Sequence, residues 1–213
     1  MKKFKQYHNL YAIYRHEQNK MLVIMIIMLV IFLSAVVTLC FDIDPAITAI
    51  MMIMIIPTLI IGIFYLFNRH FAVKAVSRFT AEELERVNND ILSAHTEEGF
   101  SVTRDAVVCR NGRLFIYPVR NILWVYKNVV TTNLYGVVPV AKNSTVVIVG
   151  KDKKLYNCRT KNKSNIVAFL QSQLQQYRRG IFYGYSPDID TMFRKDFGRM
   201  LAVSEEYDRQ QNT

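Results

Sequence analysis

The sequence predicts an α+β membrane protein, with a two-helix transmembrane hairpin followed by an antiparallel β domain that has flanking helices. Two uncharged apolar runs, 21–41 and 46–67, predict the hairpin. Short runs rich in β-branched and aromatic residues, between residues 100 and 159, predict the β domain. Amphipathic patterns on both sides of those runs predict the helices.

Each apolar run exceeds the roughly 20 residues that an α-helix needs to cross the bilayer hydrocarbon. Only Asp42-Ile43-Asp44-Pro45 separates them, which is enough to turn the chain back. A cleaved signal peptide is a poorer interpretation of the first run, because its apolar stretch is too long and lacks a convincing small-x-small site. We therefore interpret both runs as uncleaved spans.

Charge predicts the orientation of the hairpin. Lys and Arg dominate the segment before the first run and the residues just after the second, whereas the connecting turn has two aspartates and no cation. Because Lys and Arg near helix ends favour the cytoplasmic side, we expect a multi-pass protein of the cell membrane with both termini cytoplasmic.

These features divide the chain into five segments. They are a basic N-terminal segment (1–20), the hairpin (21–67), a juxtamembrane segment with an amphipathic helix (68–98), the β domain with its C-terminal helices (99–203) and a polar tail (204–213).

Three helices are predicted outside the hairpin. Thr80 and Glu83 have capping-box spacing and predict a helix from about Ala81 to His95. A second apolar stripe predicts a helix from about Asn165 to Tyr177, ended by Arg178, Arg179 and Gly180. Ser164 can cap this helix. Ser186-Pro187-Asp188 supplies a cap, an N1 proline and a first-turn acid for the third helix. The predicted inner face of this helix consists of Ile189, Met192, Phe193, Phe197, Met200 and Leu201.

Seven short runs predict strands. No long crossover separates them, so the sheet should be antiparallel. The runs are Phe100–Thr103, Ala106–Arg110, Arg113–Tyr117, Ile122–Val130, Tyr135–Val140, Ser144–Val149 and Leu155–Arg159.

Seven strands followed by an amphipathic helix is the element order of a pleckstrin-homology-like (PH-like) barrel or sandwich. The chain resembles an uncharacterised family of two-helix membrane proteins from Gram-positive bacteria that carry a cytoplasmic PH-like domain. The residues that carry the resemblance are Ile122–Tyr126, Gly184-Tyr185-Ser186 and the helix around Phe193 to Phe197. The resemblance implies the fold, and the family brings no agreed activity.

Charge supplies one candidate binding surface. The part of the chain after the apolar runs carries most of the formal net charge of +10. Six cations cluster around the last predicted strand pair and are candidate contacts for anionic lipid. They are Lys151, Lys153, Lys154, Arg159, Lys161 and Lys163. A charge run is also a common solvated face, and both interpretations stay open.

Trp124 and Tyr126 form the second candidate surface, for a protein partner. They occupy alternate positions of one predicted strand, so they share a face, while Leu123 and Val125 share the other. An aromatic face can hold a peptide or a neighbouring subunit, but large aromatics belong more often to the core. The sequence leaves open which face is exposed.

Catalytic and metal sites are not predicted. The sequence lacks a glycine-rich phosphate loop, a G-x-S-x-G motif and an H-E-x-x-H motif. Cys40, Cys109 and Cys158 are widely spaced without metal-ligand patterns, and the last two fall in strand-like runs that suit small buried hydrophobes. We expect no catalytic residue, no metal, no cofactor and no nucleic-acid partner.

Two functions follow as hypotheses. The leading one is a non-catalytic module that binds a protein partner, or its own copy, at the inner face of the membrane. The alternative is a sensor of anionic lipid or of a small ligand at the membrane surface.

Overall fold

The computed structural model describes residues 6–39, 60, 62, 63, 65–67, 70–111, 114–134, 138–161 and 165–211. The chain divides into two compact units, Met1–Lys74 and Ala75–Thr213. We take each unit by itself.

The first unit contains helix α1 (His8–Leu39). Leu10, Tyr14 and Gln18 are buried at spacings of four residues, on one side of its first half. Large aliphatic side chains of its second half, such as Val23 and Ile27, are exposed.

The predicted hairpin is contradicted. A membrane crossing needs about 20 mainly apolar residues in one helix, and no helix within the described residues combines that length with that apolarity. The first run continues a helix that begins in polar sequence at His8, and most of the second run lies outside the described residues. The same finding contradicts the predicted two-span location in the cell membrane.

The second unit begins with helix α2 (Ala81–Asp90), and the predicted capping box is confirmed. The Thr80 backbone N–H donates to Glu83 Oε2 at 2.8 Å, and the Glu83 N–H donates to Thr80 Oγ1 at 3.3 Å. Leu84 and Val87 are buried on the inner side of the helix. The helix ends five residues before the predicted His95.

The first sheet is a four-stranded antiparallel meander in the order β1-β2-β3-β4. Its strands are β1 (Thr96–Glu97), β2 (Phe100–Val102), β3 (Ala106–Cys109) and β4 (Phe115–Pro118). The turn that contains Arg104 and Asp105 joins β2 to β3.

The second sheet has the order β7-β6-β5-β8. Its strands are β5 (Ile122–Leu134), β6 (Val138–Gly150), β7 (Leu155–Thr160) and β8 (Phe182–Tyr183). Residues 138–140 of one predicted run and the whole predicted run 144–149 belong to one long strand, β6. The short edge strand β8 pairs with β5 in parallel, whereas the other pairs are antiparallel as predicted.

The two sheets are open, so the predicted barrel is wrong. Strand β4 does not pair with β5, because Pro118 and a 3₁₀ turn over Val119–Asn121 end one sheet before the next begins. Within the described residues, no strand pairing joins one sheet to the other.

The main hydrophobic core contains residues of both sheets and of helix α3 (Ile166–Leu174). Cys109 and Cys158 are buried in it as free thiols, as the sequence predicted. A second core packs the other face of the second sheet against helices α4 (Pro187–Lys195) and α5 (Phe197–Gln211). The predicted inner face of these helices, from Ile189 to Leu201, is confirmed.

The C-terminal helices differ from the prediction in two places. The helical conformation is interrupted at Asp196, so two helices replace the one predicted. The polar tail continues α5 to Gln211, because the buried Ser204 and the ion-paired Asp208 anchor it. The predicted cap of α3, Ser164, lies outside the described residues.

Candidate functional site

A polar cavity of about 460 Å³ opens in the second unit. We call it the arginine cleft, because three of its eight lining residues are arginines. The lining residues are Glu83, Arg104, Asp105, Val119, Arg120, Gln176, Tyr177 and Arg178. A cavity of this size suits a small ligand.

Four segments position the lining. The capping box fixes Glu83 in the first turn of α2. The β2–β3 turn carries Arg104 and Asp105, and the 3₁₀ turn carries Arg120. The chain that follows α3 supplies the floor, including Arg178.

Ion pairs neutralise most charges of the cleft. Asp105 accepts two hydrogen bonds from Arg86, at 2.7 Å from Nε and 3.3 Å from Nη2. Glu83 pairs with Arg120, whose Nη2 also donates to the Arg78 carbonyl at 3.2 Å. These contacts hold α2 against the turns of the sheets.

Arg178 forms the floor and is 7% exposed. Its Nε donates to Asp208 at 2.7 Å and its Nη2 donates to Ser204 Oγ at 2.8 Å. Its Nη1 donates to the carbonyls of Val119 and Ile122. A buried guanidinium needs such compensation, and here it joins α5 to the start of β5.

Arg104 differs from the other two arginines. It is exposed, and no hydrogen bond or ion pair engages it among the described residues. The cleft therefore keeps one uncompensated guanidinium at its rim.

An aromatic cluster lies beside the cleft. The Arg78 guanidinium lies 5.2 Å from the Tyr117 ring centroid and 4.8 Å from the Tyr156 ring centroid. The Tyr156 hydroxyl donates to Asp152 at 3.0 Å. Burial and the nearby Asp152 raise the pKa of Tyr117, which stays protonated and serves as a packing residue.

The predicted basic cluster is divided between two places. Lys151, Lys153 and Lys154 lie in the β6–β7 turn, whereas Arg159 and Lys161 lie at the opposite end of β7. The strand separates the two groups by about 20 Å. Lys163 lies outside the described residues.

Two lysines of the turn have local surroundings of their own. Lys153 Nζ lies 5.9 Å and 5.4 Å from the ring centroids of Phe193 and Phe197, where it covers the second core. Burial, and next the charge of Arg178, lower the pKa of Lys151. The structure does not bring the five described cations together.

The predicted aromatic surface is mostly core. Trp124 is 1% exposed, and its Nε1 donates to the Gly184 carbonyl at 2.6 Å. Tyr126 is half-buried, and its ring centroid lies 4.2 Å from that of Trp124. A register shift between Ile122 and Trp124 places Leu123 in the same core as Trp124. The prediction that Leu123 and Val125 share one face of the strand is wrong. The bulge adds one residue to β5 and so changes which side chains alternate between the two faces.

A second exposed feature is formed by the last residues of β5 and the first residues of β6. Among the described residues, 129–134 of β5 and 138–143 of β6 pair with one another and with no third strand. Strand β8 pairs with β5 at Trp124 and Val125, and β7 pairs with β6 from Ser144 onward. We call this two-stranded segment the β5–β6 ribbon. Six residues of strand extend about 20 Å.

The ribbon exposes one valine on each face. Val129 and Val130 are consecutive strand residues, so they lie on opposite faces, and they are 41% and 53% exposed. Its outer backbone edges lack a neighbouring strand among the described residues. Such edges are templates for pairing with another chain.

Sequence reasoning missed the arginine cleft. It interpreted Arg178 only as a cation that ends a helix. The available signal is that Arg104, Arg120 and Arg178 each follow the end of a strand or helix. In the part of the chain that the structure describes, no three His, Cys, Asp or Glu side chains converge as a metal site.

Comparison with known proteins found no matching family model, no matching curated protein and no matching solved structure.

Proposed function

We propose that this protein is a non-catalytic interaction module that binds a protein partner through the β5–β6 ribbon. The observation that carries the proposal is the exposure of Val129 and Val130 on opposite faces of a two-stranded segment. An isolated pair of strands is only marginally stable in water, so a partner that covers the ribbon would stabilise it.

The partner adds a strand. The unpaired edges of the ribbon offer backbone donors and acceptors, and its valines offer alternating apolar contacts. Strand addition uses both, with main-chain hydrogen bonds for affinity and side-chain contacts for specificity.

Charge favours a different protein over a second copy of this chain. The hairpin from Ile122 to Gly150 contains Lys127 and Lys142 and no acidic residue, and the whole chain has a net charge of +10. Two copies would bring like charges together, whereas an acidic extended segment would be complementary.

The test uses the full chain with a photo-crosslinking amino acid in place of Thr131, an exposed ribbon residue. A control chain carries the same amino acid in place of the exposed Glu206 of α5. We expect a crosslink to the partner from position 131 and none from position 206. The masses of the crosslinked peptides should identify an acidic segment of the partner. The purified partner should then protect the amides of residues 129–134 from hydrogen exchange.

Matched substitutions test the affinity. Val130→Lys should weaken binding of the purified partner by about tenfold or more, because it places a charge in the covered face. Leu92→Lys makes the same chemical change at an exposed leucine of another surface and should leave binding unchanged. Equal effects of the two variants would contradict the proposal, as would a crosslink only to a second copy.

A further inference from the structure

The arginine cleft offers a binding site that is independent of the ribbon. The two features lie at opposite ends of β5, because Arg178 donates to the carbonyl of Ile122, where the strand begins. The 13 residues of this strand span about 40 Å.

The charges of the cleft leave a cation unmatched. Arg120 pairs with Glu83, Asp105 pairs with Arg86, and Arg178 pairs with Asp208. Arg104 is the lining residue whose charge no acid offsets among the described residues.

The floor and one wall are rigid. Hydrogen bonds from Nε, Nη1 and Nη2 hold the buried Arg178, and two partners hold Arg120. Preorganised cations bind an anion without the cost of ordering long side chains. Arg104 is the exposed arm that can close on the ligand.

The donors surround the cavity on several sides. They belong to the β2–β3 turn (Arg104), to the 3₁₀ turn (Arg120) and to the chain after α3 (Gln176 and Tyr177). The acceptor oxygens of a carboxylate lie in one plane, whereas those of a phosphate point in three directions. Arginine forks bind phosphate through two parallel hydrogen bonds.

We propose that the arginine cleft binds the phosphate group of a small phosphorylated molecule, with Arg104 and Arg120 as the phosphate contacts. The cavity of about 460 Å³ exceeds the volume of a phosphate ion, so it also accommodates the part of the ligand that carries the phosphate.

The experiment titrates the full chain with inorganic phosphate, inorganic pyrophosphate and vesicles of phosphatidylcholine with and without phosphatidic acid. Calorimetry or amide chemical shifts measure saturable binding. Arg104→Gln should weaken it by about tenfold, because a charge-assisted hydrogen bond is lost. The fold should be unaffected, because Arg104 is exposed and unpaired within the described residues. Arg104→Lys keeps the charge without the fork and should be intermediate.

Arg159→Gln is the matched control, since it removes one exposed cation at the far end of β7. It should leave binding unchanged. Saturable binding of phosphate or pyrophosphate in solution supports a free small molecule as the source of the phosphate group. Binding only to the vesicles with phosphatidic acid, when it is lost in Arg104→Gln, supports a lipid headgroup. Equal weakening in Arg104→Gln and Arg159→Gln, or no saturable binding to any probe, would overturn the proposal.

Discussion

Trp124 links two parts of the second unit through one side chain. Its ring lies in the second core with Leu123 and Met200, and its indole N–H donates to the carbonyl of Gly184. Since that carbonyl follows the edge strand β8, the tryptophan fixes the chain between β8 and α4. A buried aromatic with a satisfied polar group contributes through both area and hydrogen bonding.

Substitution of Trp124 separates the two contributions. Trp124→Phe should lower the free energy of unfolding by about 1–3 kcal/mol, because it leaves the Gly184 carbonyl without its donor and removes part of the ring. Trp124→Ala should cost about 3–5 kcal/mol through the cavity it leaves. Denaturant unfolding followed by circular dichroism measures both.

Tyr185→Phe is the control, because Tyr185 is exposed beside the same aromatic cluster. This substitution should lower the free energy of unfolding only slightly. Equal losses from Trp124→Phe and Tyr185→Phe would show that the contact with Gly184 does not stabilise the fold.

At the scale of elements, α5 is held at two points. Met200 is buried in the second core, and Asp208 pairs with Arg178. Asp208 Oδ1 also accepts from the Gly180 N–H at 2.7 Å. The helix therefore continues through a sequence whose composition suits an exposed tail.

Asp208→Asn tests this attachment. It keeps the shape of the side chain but leaves the buried Arg178 without its counter-charge. We expect a loss of about 1–3 kcal/mol, less than for a fully buried pair because Asp208 is partly exposed. Amide hydrogen exchange in α5 should accelerate by the factor that this loss of free energy corresponds to.

The exposed Asp188 supplies the matched control, because Asp188→Asn removes the same charge in the first turn of α4. Exchange in α5 that is equally fast in both variants would mean that the Arg178 pair does not anchor the helix.

At the scale of the whole molecule, the chain forms two compact units that divide between Lys74 and Ala75. The second unit contains both sheets, both cores and the two proposed binding features. A unit with its own cores is expected to fold alone.

A fragment of residues 75–213 tests this independence. Its amide spectrum should match the corresponding signals of the full chain, and it should unfold cooperatively. A fragment that shows poorly dispersed signals would mean that the second unit needs the first in order to fold.

The sequence predicts much of the second unit at the level of elements. Three such predictions are confirmed. They are the Thr80–Glu83 capping box, the burial of Cys109 and Cys158 in the core, and the inner face of the C-terminal helices. The wrong predictions about the fold as a whole concern closure of the sheets and crossing of a membrane. The sheets are open, and no helix among the described residues is long and apolar enough to cross a membrane.

The sequence by itself determined features that depend on residues close along the chain, such as the Thr80–Glu83 capping box and the proline that begins α4. Only the tertiary structure decided the bulge beside Trp124, the burial of Arg178 and the division of the lysine cluster. These depend on contacts between distant residues, such as the one from Arg178 to Ile122 across 56 positions. The physical reason is that local patterns fix backbone conformation, whereas burial and charge pairing depend on which segments meet in space.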